Sequence, residues 1–574
     1  MATILVDGVE IEVDDRERLN VIQAADRAGI SIPFYCWHPG LSVVASCRMC
    51  LVETGTKNKE TGEIAMIPKL VPACQTPAKD GTVVVTNSPR VKANQNFVQE
   101  GILLDHPVDC PICDQAGECW LQDYYFEYGH KERRADVRPF TSERRDLGPH
   151  VSLFADRCVM CSRCVRFTRE VSGEGELMVV DRGSHAEIDV FPGFPIDNSL
   201  SGNVNDICPV GALCSSDFLY QQRVWFLDAQ NTICTGCSTG CATQMHVNQN
   251  TLYRVQPRYN PNANDWWMCD KGRYENGYLT APNRLDAPRM RKGDKFEPLE
   301  WSEAIREIYN HVADVALHHG GRRLAVVVSP FLTCEEAYLL SKWAKGILAD
   351  VVLAVGPAPV RGTDEVFKAG FTIRAEKCPN RVGVTEIVKH FSGGQVLDWG
   401  GLLTRVAAGD FLGAYVTGNA PFDWISDAEA ETFAKLDKLV VQDIFPSPLA
   451  RKAHVVIPGA ASFEKEGAYV NHAGLIQSTQ WGVRPPGAAH MDGQTFGDLL
   501  GRRGLYQSAA VMAELAAEIP FFARCAGGIP PAGLNLVTGQ EKQPKTTELG
   551  TVTHPTPTFR SEASRMLEVE PQVR

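Results

Sequence analysis

The sequence predicts an α+β multidomain chain, built around metal in its N-terminal half and closing in an α/β domain. Three observations carry this. All but three of the 19 Cys precede residue 270, clustered as metal or redox work requires and not as a disulfide framework. Residues 3–13, TILVDGVEIEV, set two β-rich runs around Asp7-Gly8, a hairpin signal. Residues 324–355 read strand, helix, strand at the spacing of a parallel βαβ unit.

The elements follow in order. After the hairpin, Leu19–Ala28 has a helical pattern, with Gly29 as its stop. Strands over Met49–Glu53 and Gly81–Val85 complete a small sheet crossed by that helix. Helices are expected over Arg90–Leu104, ending near His106-Pro107, and over Cys119–Tyr128, stopped by Gly129. Residues 151–220 hold few periodic runs and many Cys, Gly and Pro, the composition of a loop-rich cofactor domain. From about Trp301 the pattern changes to buried strands at Leu324–Val328, Val351–Val355, Gly413–Thr417, Lys438–Gln442 and Ala453–Ile457, with a helix over Glu335–Leu348. Residues 540–574, rich in Thr, Pro and charge, read as an extended or disordered tail.

Composition excludes several functions. The 574 residues carry 57 Lys+Arg against 69 Asp+Glu, a net charge of −12, and 44% are hydrophobic. That is enough apolar material for several cores, and the acidic balance argues against a nucleic-acid partner. The start, MATILVDGVEIEVDD, lacks the basic and apolar regions of a secretory signal, and no run of 18 apolar residues spans a bilayer.

Four ligand groups remain. Cys36, Cys47 and Cys50, with Cys74 further on, place three thiolates on one tight loop and bring a fourth in through the fold. This suits a [2Fe-2S] cluster, with a wider first gap than the plant-type spacing; buried structural Cys or zinc is the alternative. Cys110-x2-Cys113-x5-Cys119 supplies three thiolates, and His106, biased out of helical geometry by Pro107, offers a fourth ligand. A zinc site of three thiolates and one imidazole is the alternative here. Cys158-x2-Cys161-x2-Cys164 begins like the bacterial ferredoxin run, but Thr168 stands where the run has its fourth Cys, so Cys208-Pro209 has to complete the [4Fe-4S] set. Cys234-x2-Cys237-x3-Cys241, with Cys269, resembles the [4Fe-4S] motif that opens molybdopterin oxidoreductases. Cys214 is left over as a buried thiol. Arg48, Arg157, Arg163 and Arg166 lie beside ligands and are candidates to offset cluster charge, or else ordinary surface salt bridges.

This order of sites, with phrases such as Asp105-His106-Pro107-Val108-Asp109-Cys110-Pro111 and Asp156-Arg157-Cys158-Val159-Met160-Cys161, resembles the G-subunit family of respiratory complex I, the iron-sulfur subunits of NADH-quinone oxidoreductase. The resemblance implies an N-terminal β-grasp, ferredoxin-like [2Fe-2S] domain (1–90). It implies a loop-rich domain with two [4Fe-4S] clusters (91–228) and a molybdopterin-oxidoreductase-type [4Fe-4S] domain (229–285). A truncated molybdopterin-oxidoreductase-like α/β domain (286–539) and the tail (540–574) follow. It further implies an electron carrier in a proton-translocating complex. FMN would be held only by a partner flavoprotein that oxidises NADH. The other partners would be a small [2Fe-2S] subunit and the iron-sulfur and quinone-site subunits of a connecting arm. The place expected is the peripheral arm of a complex at the cytoplasmic face of a bacterial inner membrane, without a membrane span of its own. No molybdopterin is expected. No G-x-G-x-x-G between strand and helix, no Walker A and no catalytic constellation is found, consistent with a chain lacking a substrate site. A molybdenum enzyme of the formate dehydrogenase type, the electron-transfer subunit of an NAD-reducing hydrogenase and a zinc scaffold are the alternatives.

Overall fold

Asp7 and Gly8 both take positive φ, 48° and 87°, and turn strand Ala2–Val6 back onto Val9–Val13 in antiparallel register. Ala2–Val6 also pairs in parallel with Thr82–Val85, and the sheet continues through Leu51–Lys57 to Ile64–Met66. Helix Val21–Arg27 opens on a capping box between Asn20 and Gln23 and buries Val21, Ile22, Ala24 and Ala25. The computed structural model describes residues 2–129, 134–181, 183 and 185–542. From residue 543 on, the expected tail lies outside the described residues.

The second expected strand starts at Leu51, not Met49, because Cys47–Cys50 is spent on a tight loop in which Arg48 has φ 60°. Helices Pro89–Asp105 and Trp120–Tyr128 form as read, the first with Ser88 as its cap. The loop-rich stretch holds more regular structure than expected. Arg145–Gly148, Val151–Leu153 and Leu213–Ser215 make a three-stranded sheet, and Leu177–Val180 pairs with Glu187–Val190. A three-stranded antiparallel sheet, Asp228–Ile233, Ala242–Asn248 and Thr251–Pro257, carries the fourth ligand group.

The C-terminal sheet has seven strands. Five are parallel, in the order Val455–Pro458, Lys438–Asp443, Gly413–Thr417, Leu324–Val328, Val352–Val355, and an antiparallel hairpin (Arg289–Lys292, Lys295–Pro298) extends the edge at Val455–Pro458. Every residue of Leu324–Val328 is buried, as a parallel strand covered on both faces requires. Leu324, Val326 and Val328 belong to one core, and Ala325 and Val327 to the core on the opposite face. Helix Trp301–His319, not expected from the sequence, covers the first core through Ala304, Ile308, Val312 and Val315. A third core holds Cys36, Cys119, Cys161, Cys164, Cys208, Cys234, Cys237, Cys241 and Cys269, one or more members of every ligand group.

Candidate metal centres

All 19 Cys are free thiols. In the first group the four sulfurs stand as two pairs: Cys36 hydrogen-bonds Cys47, and Cys50 hydrogen-bonds Cys74. The bond from Cys47 and the N–H groups of Ser46 and Cys47 hold the Cys36 thiol low, at about 5. Two adjacent thiol pairs are what two bridged irons need, one pair for each. Ala73 N–H donates to the Cys50 carbonyl (2.9 Å) and Asn20 Nδ2 to the Cys74 carbonyl (3.1 Å), tying the distant ligand to the loop.

His106, Cys110, Cys113 and Cys119 line one largely apolar cavity of about 380 Å³, with Leu103, Tyr125 and Arg157. His106 caps helix Pro89–Asp105 in extended geometry, φ −73° and ψ 124°, as Pro107 dictates. Its Nδ1 is buried without a hydrogen-bond partner. Burial first, then the Arg157 charge, lowers its pKa to about 4, so the imidazole is neutral. Burial pushes Cys119 up. A Cβ at Gly211 would lie 2.3 Å from Cys113 Sγ, so only glycine fits beside that ligand.

Cys158, Cys161, Cys164 and Cys208 line a smaller pocket. Met160 (φ 51°) and Ser162 (φ 58°) turn the triplet loop, and Met160 N–H points at Cys158 Sγ at 3.4 Å. Burial pushes Cys208 up to about 11, opposed by the N–H groups of Val210, Leu213 and Ala212. Amide donors around a sulfur favour its anionic, metal-binding form. Cys214 packs with Phe154 and Leu219.

In the fourth group Cys234 N–H donates to the Cys241 carbonyl (2.9 Å), and Cys269 Sγ accepts from Gly272 N–H (3.5 Å). A Cβ at Gly272 would meet Cys234 Sγ at 2.7 Å and Cys269 Sγ at 3.7 Å. The α/β domain clasps the loop. Ser238 N–H donates to the Glu376 carbonyl, and the carbonyls of Ser238, Thr239 and Gly240 accept from His472 N–H, Asn471 Nδ2 and Gln477 Nε2.

These donor sets fit iron-sulfur clusters: thiols spread around spaces, an orphaned imidazole nitrogen, and glycines where a side chain would fill the cradle. The cleft beside Thr235, Tyr278, Ser462 and Lys465 holds about 10 Å³.

Sequence reasoning missed what packs between the groups. Trp267, two residues before Cys269, stacks on His38 at 5.5 Å and meets Phe167 edge-on at 5.1 Å. Of the four arginines, Arg48 is exposed, whereas Arg157, Arg163 and Arg166 are buried. The surface salt-bridge reading therefore fails for Arg163 and Arg166, while Arg157 pairs with the half-exposed Asp109 at 3.5 Å.

Comparison with known proteins agrees with this order of sites. Residues 1–89 match a 2Fe-2S iron-sulfur cluster binding domain, and residues 95–134 the NADH-ubiquinone oxidoreductase-G iron-sulfur binding region. Residues 148–214 match the ferredoxin-like domain of NADH-quinone oxidoreductase subunit 3, and residues 228–279 the molybdopterin oxidoreductase Fe4S4 domain. Residues 284–377 and 399–502 match molybdopterin oxidoreductase. The chain thus matches, in order, 2Fe-2S and 4Fe-4S binding domains ahead of a molybdopterin-oxidoreductase-like domain. More particularly, it is a homologue of the G subunit of NADH-quinone oxidoreductase and of its mitochondrial counterparts. The G subunit of Rickettsia felis is 34% identical over 59% of this chain and 48% of its own length. The mitochondrial 78 kDa subunit of Neurospora crassa is 29% identical over 90% of this chain and 83% of its own. That of Candida albicans is 37% identical over 53% and 41%. The match thus spans about half of the Rickettsia and Candida proteins.

Proposed function

We propose that the chain is the electron-carrying iron-sulfur subunit of an NADH-quinone oxidoreductase. In this reading Cys36, Cys47, Cys50 and Cys74 hold one [2Fe-2S] cluster. Three [4Fe-4S] clusters sit on His106 with Cys110, Cys113 and Cys119, on Cys158, Cys161, Cys164 and Cys208, and on Cys234, Cys237, Cys241 and Cys269. The observation that carries it is the single apolar core shared by ligands of all four groups. Such a core keeps water away and holds the groups at fixed separations along one molecule.

Bound clusters supply reversible one-electron storage. The protein's part is geometric and electrostatic. Amides of Val210, Ala212 and Leu213 face Cys208, a neutral imidazole at His106 replaces one thiolate, and buried guanidinium groups lie between sites. Electrons would enter from the FMN of a partner flavoprotein. They would leave towards quinone through subunits of the connecting arm, with a small [2Fe-2S] subunit nearby. Among the described residues no helix is long and apolar enough to cross a membrane, which suits a place in the peripheral arm, on the cytoplasmic side of a bacterial membrane.

Anaerobically reconstituted protein should contain about 14 irons per chain with matching acid-labile sulfide. A value near ten would mean one four-iron group stays empty. Colourless protein holding zinc would overturn the proposal.

A further inference from the structure

Arg163 is 1% exposed. Its Nη2 donates to the carbonyl of Trp37 (2.7 Å), next to the first-group ligand Cys36, and its Nη1 to the carbonyl of Ile207 (3.1 Å), next to the third-group ligand Cys208. Its guanidinium lies 4.3 Å from the ring centroid of Trp120, which follows the second-group ligand Cys119. Arg166, one turn on and also buried, donates to the carbonyls of Cys36, Ser42 and Cys161. Two cations therefore sit where three ligand groups meet. Among the described residues neither forms an ion pair with a carboxylate: Arg157 reaches Asp109, Arg254 reaches Glu118 and Arg273 reaches Asp206, but no such pair includes Arg163 or Arg166. A fully buried guanidinium without a counterion is strongly unfavourable, and native proteins pair such charges or bind them to an ion. Arg163 also leaves its Nε without a partner.

We propose that Arg163, supported by Arg166, is a positioning residue and the built-in counter-charge of this junction. It takes the negative charge of the groups bound at the first and third sites as its counterion, and it locks the Trp37 backbone against Ile207. The inference rests on the cluster assignment proposed above. A fixed positive charge favours the more negative, reduced state. The consequence is a raised potential at the adjoining sites, while the fourth site, with no ligand neighbour among the contacts of Arg163, is unaffected.

The test is a redox titration of the whole chain, reconstituted anaerobically and followed by electron paramagnetic resonance. Arg163→Gln should lower the potentials at the first and third sites so that the reduced-to-oxidised ratio at a fixed potential falls about tenfold, or 59 mV for one electron. The fourth-site signal should stay in place. Arg163→Lys keeps the charge and loses the two-carbonyl fork. It should hold the potentials near wild type while changing the magnetic interaction between the first and third sites. Intact signals at wild-type potentials in Arg163→Gln, or an equal shift at every site, would overturn the proposal. Should Arg163→Gln not accumulate, Arg166→Gln decides in its place, a lowered potential supporting and an unchanged one overturning. Wild-type protein without first- and third-site signals would overturn the cluster assignment itself, a failure distinct from an unshifted variant.

Discussion

Lys465 lies at the floor of the α/β domain, 1% exposed, with Nζ 2.9 Å from Glu336 Oε2 and 3.2 Å from Asp492 Oδ2. Both carboxylates are fully buried. Replacing Lys465 with Met removes the only cation in the cluster and leaves two buried acids. Breaking one side of a buried pair costs about 3–5 kcal/mol, which for a domain of this size lowers the calorimetric midpoint by roughly 10 °C. The loss has a pH signature. Burial already pushes Glu336 up to about 7 and its neighbour Glu335 to about 8, from an ordinary 4.5. A folded pKa above the unfolded one means stability is present at low pH and lost as pH rises through that window, by about 1.4 kcal/mol per pH unit and group. Without Lys465 the folded value of Glu336 rises further. The Glu336 part of the deficit should therefore be small near pH 5, where Glu336 is protonated in the folded wild type and the folded variant alike, and full at pH 8. Adding Glu336→Gln should recover part of it. Scanning calorimetry at the two pH values is the assay. A loss below about 1 kcal/mol at pH 8, or one equal at both pH values, would refute the reasoning.

Three further outcomes are expected. His106→Cys should keep a second-site cluster at a lower potential, because a thiolate adds negative charge, and His106→Ala should leave it labile; spectroelectrochemistry separates the two. Gly211→Ala, whose Cβ would press on Cys113 at 2.3 Å, should abolish the second-site signal while sparing the first and fourth. Cys237→Ser should lower the yield of assembled complex more than turnover per assembled complex, since its loop is clasped by the α/β domain; intact complex without NADH-quinone activity would contradict this.

The parts legible in the sequence are those with a local cause. Asp7-Gly8 forces a turn by itself, Pro107 keeps His106 out of the helix, and the unbroken apolar run at Leu324–Val328 announces a strand covered on both faces. Strands of three or four residues, such as Val151–Leu153, carry no readable period, and their pairing with Leu213–Ser215 depends on residues far along the chain. Helix Trp301–His319 does carry a period, through Ala304, Ile308, Val312 and Val315, but lacks a strong cap to announce its start: Glu300 makes no capping hydrogen bond. Spacing could group the Cys, since ligand loops are local. It could not show that Gly211 has to be glycine, nor that His38 and Trp267 stack, because those partners meet only in the finished fold.

The clasp on the fourth group bears on the order in which the protein is made. Cys234, Cys237, Cys241 and Cys269 are each buried, and the loop between them is stitched by backbone and amide bonds to Glu376, Asn471 and Gln477. In the proposed reading, a delivery protein handing over a preformed cluster would find those sulfurs covered once residues 376–477 have closed on them, so insertion there would precede or accompany docking of the C-terminal domain. A chain that finishes folding empty would be shut against later loading, so the supply of iron and sulfide during biogenesis would decide how much of it matures.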